Sequence, residues 1–362
     1  MQNKKTTTAK IVKITIFTLI SVVTILSITG YLLARSYINK MNLISPTGED
    51  DDILETGEPE PETEPEDAHT EATDSPEVEI LTIEDKIRQN MEDNSTAMIY
   101  DNEVLNVLLI GSDTREAGGS GRSDAMIIIS INKKMKKIVA TSILRDIYLQ
   151  IPGRSNNRIN SAFASGGADL LMETIEQNFK IQIDRYASID FYSFMEIVDA
   201  VGGVTLEITE AEIPIINEYV RNLNGLTDQE EETDILTEAG TFLLNGKQAL
   251  GYARNRYIGT DFERTARQRR VLEQIFNNVK GLNLIELNNL LNVILPGITT
   301  NLTEGEIFSM ILSLPTYSGY ALDQWSLPIE DSYNFLRIRG MDVIGIDFQL
   351  NIDEIHNRLY GE

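Results

Sequence analysis

Residues 14–34, ITIFTLISVVTILSITGYLLA, run for 21 positions without a charged side chain. At about 1.5 Å of rise per residue a helix of that length spans roughly 31 Å, the thickness of a bilayer hydrocarbon core. The stretch is longer than the apolar core of a cleaved signal peptide, and LLARSYINK offers only a weak cleavage site, so a retained transmembrane helix is expected. Lys4, Lys5, Lys10 and Lys13 precede it, whereas only Arg35 and Lys40 follow before an acidic tract. The positive-inside bias then leaves residues 1–13 in the cytoplasm and everything beyond the span outside the cell.

From Met41 to Asp85 there is no Lys or Arg, while Asp50, Asp51, Asp52, Glu55, Glu58, Glu60, Glu62, Glu64 and Glu66 alternate with Pro and Thr. So little apolar surface does not offset the entropy of ordering, and residues 35–93 are expected to form a disordered, self-repelling stalk. The chain has no Cys, and its two histidines, His69 and His356, lie in the acidic tract and near the C-terminus. Disulfides, thiolate chemistry and a His-based triad or zinc site are thereby set aside, leaving carboxylates, arginines, hydroxyls and a hard metal ion. A net charge of −25 argues against a nucleic-acid surface, which needs clustered cations.

Residues 94–362 change to short β-branched runs alternating with amphipathic helical patterns, the texture of an α/β domain. Strands are expected at Val104–Ile110, Ala125–Ile131 and Lys137–Leu144, the last two joined by the short loop NKKMK and therefore antiparallel. Helical patterns follow at 169–179, 191–201, 245–254, 263–280 and 303–314, with strands at 186–190, 204–208, 324–327 and 335–338.

An up-down-up arrangement of the first three strands gathers Asp113, Asp124 and Arg145-Asp146 on one sheet edge. Two carboxylates on neighbouring strand ends repel unless a cation lies between them, and oxygen-only ligation suits Mg²⁺ or, alternatively, Mn²⁺. A second cluster, LGYARNRYIGTDFERTARQRR at 250–270, holds Arg254, Arg256, Arg264, Arg267, Arg269 and Arg270. The guanidinium fork matches phosphate oxygens in pairs, so arginines around a cavity read as a pyrophosphate clamp. On the helix from Glu263, Gln268 lies one turn ahead of the apolar stripe Leu272, Ile275, Phe276 and Val279, which places Gln268 and Arg264 toward a pocket. Arg269 and Arg270 are expected to pair with Glu273 on the solvated face.

The ordered strings NVLLIGSDTRE, GRSDAMIIISINKKMKKI, SILRDIYLQIPG, RINSAFASGGADLLMETIE, IDFYSFMEIVDAVGGVTLEI, LNGKQALGYARNR and DFERTARQRRVLEQI resemble the LytR-CpsA-Psr domain over about 106–275. The resemblance implies an extracellular α/β/α sandwich around a mixed sheet, a catalytic domain over 94–362 whose motifs occupy about 106–280. It further implies a Mg²⁺-dependent phosphotransferase that moves a glycopolymer from a polyprenyl-pyrophosphate carrier onto a peptidoglycan hydroxyl. Carried over by position, the metal ligands are Asp113 and Asp124. The pyrophosphate contacts are Arg145, Arg256 and Arg264, joined by Arg254, Arg267 and Gln268, with Arg122 and Arg115 as weaker members. Asp261 matches a further acidic position and is the default base, since no histidine is near. Phe163, Leu171, Ile175, Phe191, Phe194, Met195 and Val198 are expected to line an isoprenoid tunnel, although their periodicity equally describes an ordinary core. Three readings compete with transfer: a non-catalytic module binding lipid-linked glycan, a membrane-tethered regulator, and a hydrolase with water as acceptor. Donor choice would rest on loops such as 153–160 and 221–240.

Overall fold

The computed structural model describes residues 42–43, 74–93, 97–112 and 121–361 of the 362-residue chain. The expected span at 14–34, most of the acidic tract, Asp113 and Arg115 lie outside the described residues. Among the described residues no helix is long and apolar enough to cross a membrane.

The strands are β1 (Asn42–Leu43), β2 (Val104–Ser112), β3 (Ser123–Asn132), β4 (Lys137–Ile143), β5 (Tyr148–Leu149), β6 (Asn157–Arg158), β7 (Arg185–Ile189), β8 (Val204–Ile208), β9 (Gly240–Leu244), β10 (Thr299–Thr300), β11 (Ala321–Leu327), β12 (Tyr333–Ile338) and β13 (Met341–Ile346). The helices are α1 (Glu77–Glu92), α2 (Asn160–Phe179), α3 (Phe191–Ala200), α4 (Ile213–Leu226), α5 (Gly246–Arg254), α6 (Asp261–Lys280), α7 (Leu284–Ile294), α8 (Glu304–Tyr317) and α9 (Phe348–Tyr360). Seven strands form the central sheet in the order β1-β10-β7-β2-β3-β4-β11. It is mixed: β3 runs antiparallel to both β2 and β4, while β7 runs parallel to β2 and β11 parallel to β4.

Alternation along the strands divides the molecule. Leu108 and Ile110 of β2, Met126 and Ile128 of β3 and Tyr186 of β7 enter one core with α1, α2, α9 and the β12–β13 hairpin. The residues between them, Leu109, Ile127 and Ala187, face a cavity roofed by α3, α5 and α6. Beyond that roof a second core forms from α3, α4, α5, α6 and the β8–β9 hairpin. This is the layered α/β arrangement expected from the sequence, with the sheet buried on both faces.

The stalk boundary at 93 needs correction. Glu77–Glu92 is helical, and Ile83 and Ile87, four residues apart, are buried against the main core. Burying such a side chain is worth about 1.5–3 kcal/mol, which offsets the acidic character that suggested disorder. The Asn90 side chain also donates to the Asn178 carbonyl at 3.0 Å. Helix α2 begins nine residues before the sequence pattern suggests, with non-helical backbone at Gly166 and Gly167 inside it. The segment 221–240 is a loop only in part, because α4 continues to Leu226. Asn224, fully buried, then draws the following turn back by donating to the carbonyls of Glu230, Glu231 and Thr233.

Candidate active site

The β2–β3 pair breaks register at its end: Gly111 pairs with Ala125 but Ser112 pairs with Ser123. Asp124 is therefore the extra residue of a β-bulge. Regular alternation would turn it toward the main core with Met126; the bulge re-aims it to the cavity side with Ala125. Gly111 permits the close approach, since a Cβ there would stand 3.2 Å from that of Ala125.

Three arginines from two distant parts of the chain converge on Asp124. Arg145, just past the end of β4, reaches Oδ1 at 3.3 Å, and Arg256 reaches the same oxygen at 2.9 Å. Arg254, in the last turn of α5, lies 4.0 Å from Oδ2 with its guanidinium stacked 4.0 Å over the Phe191 ring. Tyr219 flanks the same cation at 5.3 Å. Arg145 also sits 3.5 Å from Asp146, which pairs with Arg158 at 3.4 Å.

Arg264 is 2% exposed and grips Asp261, three residues back on α6, with contacts of 2.8 and 2.9 Å. Burial pushes its guanidinium down to about 10, against the attraction of Asp261, so it stays cationic at neutral pH. Its Nε atom is buried without a hydrogen-bond partner. Burial raises the Asp261 carboxyl above the ordinary aspartate range; Arg264 opposes that shift and Asp146 adds to it. Four guanidiniums, Arg145, Arg254, Arg256 and Arg264, thus surround two carboxylates, Asp124 and Asp261, a net charge of +2 to which the neighbouring Asp146–Arg158 pair adds nothing. In a chain of net charge −25 this local excess of cation calls for an anion.

The loop carrying Arg256 is built locally. Buried Asn255 accepts the backbone N–H groups of Tyr257 and Ile258 at 3.1 and 3.3 Å, an Asx turn. Gly259 adopts φ +80°, and a Cβ there would strike the Glu263 carboxylate that receives the Thr260 N–H at the start of α6. Arg267 holds the loop from beneath. Its nitrogens donate to the Asn255 and Ile258 carbonyls at 3.1 and 2.7 Å and to buried Glu212 at 3.0 Å.

Behind Asp124 and Arg254 lies a cavity of about 280 Å³, almost wholly apolar, walled by the sheet on one side and by Phe194, Ile197, Leu250, Leu272 and Ile275 on the other. A chain of aliphatic carbons with an anionic head at the Asp124 end fits both its shape and its chemistry.

The family model for LytR_cpsA_psr matches residues 71–359, four fifths of the chain and all of this site. The chain belongs to that family. Among relatives, it is 32% identical over 238 residues to Biofilm regulatory protein A of Streptococcus mutans, covering 62% of this chain and 55% of that one. It is 35% identical over 208 residues to the polyisoprenyl-teichoic acid–peptidoglycan teichoic acid transferase TagU of Enterococcus faecalis, covering 56% and 63%. The chain thus spans between half and two thirds of the length of these relatives. Structures of Bacillus subtilis TagT share the fold at 25% identity. One, bound to LI-WTA, gives a TM-score of 0.58 and covers 73% of this chain and 92% of that one. Another, with bound octaprenyl pyrophosphate lipid, gives 0.54 and covers 72% and 93%.

Within this family member the structure gathers Asp124, Arg145, Arg254, Arg256, Asp261 and Arg264, residues 140 positions apart at the extremes, at one end of the sheet. Gln268 lines the cavity, as its place ahead of the apolar stripe suggests, with its Oε1 buried and unpartnered. Arg122, half-buried, stands immediately before β3. Asp113 and Arg115 lie outside the described residues. The expectation for Arg267 is corrected: its donors serve Glu212 and the loop, so it positions Arg256 instead of facing the cavity. The pairing of Arg269 and Arg270 with Glu273 is also corrected, although Arg270 is exposed as expected. Arg269 is half-buried and donates to Ser326 at 2.6 Å, Arg270 donates to the Tyr252 hydroxyl at 3.1 Å, and Glu273 accepts from Gln324 at 2.9 Å.

Of the seven tunnel residues only Phe191 and Phe194 line the cavity. Phe163, Leu171 and Ile175 belong to the main core on the other face of the sheet, because α2 packs there. Val198 is buried in the second core, and Met195 does not line the cavity, its backbone packed against Gly246. The lining that sequence reasoning missed comes from strand positions such as Leu109, Ile127 and Ala187 and from Ile197, Leu250 and Ile298. The i+3 spacing from Phe194 to Ile197 was the available helical signal. His356 has a structural place, buried with Nε2 3.0 Å from the Lys180 carbonyl oxygen.

Proposed function

We propose that this chain transfers a glycopolymer from a polyprenyl-pyrophosphate carrier to a hydroxyl of peptidoglycan, working at the outer face of the cell membrane to which residues 14–34 anchor it. The observation that carries this reading is the +2 cluster of guanidiniums and carboxylates at the mouth of an apolar cavity. A polyprenyl pyrophosphate is an anionic head on an aliphatic tail, and the two halves of the site match its two halves. The octaprenyl pyrophosphate bound to TagT and the transferase naming of TagU support the same assignment.

In this mechanism Arg145, Arg254 and Arg256 hold the pyrophosphate oxygens, drawing away from Asp124 as the substrate supplies a second anion. Buried Arg264 stabilises charge that builds on the phosphates as the bond breaks. The acceptor hydroxyl oxygen attacks the glycan-side phosphorus, its proton passes to the Asp261 carboxylate, and the phosphorus bond to the bridging oxygen breaks, releasing polyprenyl phosphate. Burial of Asp261 raises its proton affinity, as a base working near neutral pH requires. Among the described residues no cluster of three acidic or imidazole ligands exists, so a metal would rely on Asp124 together with Asp113. The Asp124 carboxylate, which lines the cavity mouth, has the hard-oxygen character that Mg²⁺ or Mn²⁺ requires. When bound there, the ion would add neutralisation of phosphate charge.

The full-length protein in detergent, given a polyprenyl-pyrophosphate glycan, a peptidoglycan oligomer and Mg²⁺, should release polyprenyl phosphate and place the glycan on the oligomer. Asp124→Asn and Arg264→Ala should each slow release by about a hundredfold or more. Release unchanged in both variants would remove the mechanism, and glycan recovered free in solution would assign the site to hydrolysis.

A further inference from the structure

Beside the catalytic cluster an aromatic path leads away from Asp261. Phe262, the next residue on α6, packs against Tyr333 of β12 with ring centroids 5.1 Å apart, and Tyr333 meets Phe335 edge-on at 5.5 Å. Tyr333 and Phe335 are two apart on one strand and so share a face. The hairpin that carries them is tied to the site, because the Ile344 N–H donates to the Asp146 carbonyl at 2.8 Å, next to Arg145. Phe335 is 69% exposed, and it forms one wall of a groove of about 490 Å³ with Asn334, Thr82, Glu79 and Lys86.

We infer that this groove is the seat of the acceptor: an uncharged run of pyranose rings stacking on Phe335, which Tyr333 backs, and directing its terminal hydroxyl toward Asp261. The inference rests on the transfer reading above and specifies its second substrate. Sugar rings present C–H faces to aromatic surfaces and hydroxyls to hydrogen-bonding groups, and the groove offers both, an aromatic wall beside an amide, a hydroxyl, an ammonium and a carboxylate. Its ionisable lining, one Glu and one Lys, sums to zero. A phosphate-rich polymer would need excess cation, so the groove suits the neutral acceptor and leaves the anionic donor to the arginine cluster. An exposed phenylalanine alone would be ordinary surface. Strand pairing gives the patch a direction: Phe335 stands opposite Ile344, whose N–H reaches the Asp146 carbonyl beside the arginine cluster.

The test uses full-length protein in detergent and an unmodified β-linked N-acetylglucosamine oligomer, with binding followed by calorimetry and transfer by acceptor KM. Phe335→Ala should weaken oligomer binding and raise acceptor KM by about threefold to tenfold, the worth of one aromatic contact, while the Kd for polyprenyl pyrophosphate moves less than twofold. Phe335→Trp should restore or tighten oligomer binding. Because Phe335 is exposed, neither change threatens the fold. Equal oligomer binding by wild type and Phe335→Ala, or no binding by wild type, overturns the inference, as does loss of affinity for anionic lipid vesicles in its place. Wild-type protein that binds the oligomer but releases no polyprenyl phosphate would overturn the transfer reading and leave the platform standing.

Discussion

Replacing Arg267 with Gln separates two jobs that its sequence position confuses. Its side chain is 5% exposed and that of its partner Glu212 8%, so the pair is shielded from solvent. Glu212 is held further by the Thr209 N–H and hydroxyl at 3.0 and 2.9 Å, which fix the carboxylate where it is. Removing the cation leaves that charge buried and uncompensated, a loss of about 3–5 kcal/mol. The Asn255 and Ile258 carbonyls lose donors at the same time, but these costs overlap with the first and do not simply add. Urea titration of Arg267→Gln should therefore show a markedly lower midpoint. Arg256→Gln removes a side chain that is 39% exposed and should shift stability by less than about 1 kcal/mol while slowing transfer at least a hundredfold. Adding Glu212→Leu to Arg267→Gln should recover part of the lost stability, since no unpaired charge remains. The reasoning is refuted if Arg267→Gln unfolds at the wild-type midpoint yet fails to bind polyprenyl pyrophosphate, because Arg267 would then be a substrate ligand.

Other consequences can be checked directly. A fragment starting at residue 94 lacks α1 and should be less stable than one starting at 71 by about 3–6 kcal/mol, the burial of Ile83 and Ile87, as read by thermal or urea unfolding. The acid limb of the kcat/KM profile should fall above the ordinary aspartate value of about 3.9, because burial raises Asp261, and Asp261→Asn should abolish that limb. In stability the sign is opposite to that of a salt-bridged carboxylate. The folded state holds the Asp261 proton more tightly than the unfolded chain, so the wild-type advantage over Asp261→Asn is fullest in acid and is lost as pH rises through the folded value. Ala187→Phe should fill part of the 280 Å³ cavity and weaken binding of a long polyprenyl pyrophosphate while sparing an analogue of one or two isoprene units; equal losses for both would place the tail elsewhere.

What the sequence makes legible follows from how local each cause is. Strands β2, β3 and β4 are visible because apolar runs are broken by short polar turns, and their antiparallel order follows from a connection too short for a crossover. That order alone brings Asp124 and Arg145 to one edge. The tunnel lining is not visible because the sheet is buried on both faces, so its strands are apolar throughout and alternation no longer marks which residues face the cavity. Leu171 and Ile175 carry the same helical stripe as Phe191 and Phe194, yet α2 and α3 pack on opposite sides of the sheet. Helix α1 is hidden by its acidic exposed face.

The arginine cluster shows why spacing cannot assign roles within it. Like charges do not assemble unaided, and each of these is set by a different device. A bulge re-aims Asp124, an aromatic ring backs Arg254, an Asx turn sets the loop bearing Arg256, and the first turn of a helix joins Arg264 to Asp261. Arg267, three residues beyond Arg264 and of identical chemistry, meets Glu212, the residue that precedes α4, and so becomes a strut for the loop. A guanidinium whose nitrogens are committed to a buried carboxylate and to two backbone carbonyls, as those of Arg267 are, is spent on the fold. By that criterion Arg145, Arg254 and Arg256, which share the Asp124 carboxylate, and Arg264, which meets only Asp261, have positive charge to offer an incoming pyrophosphate.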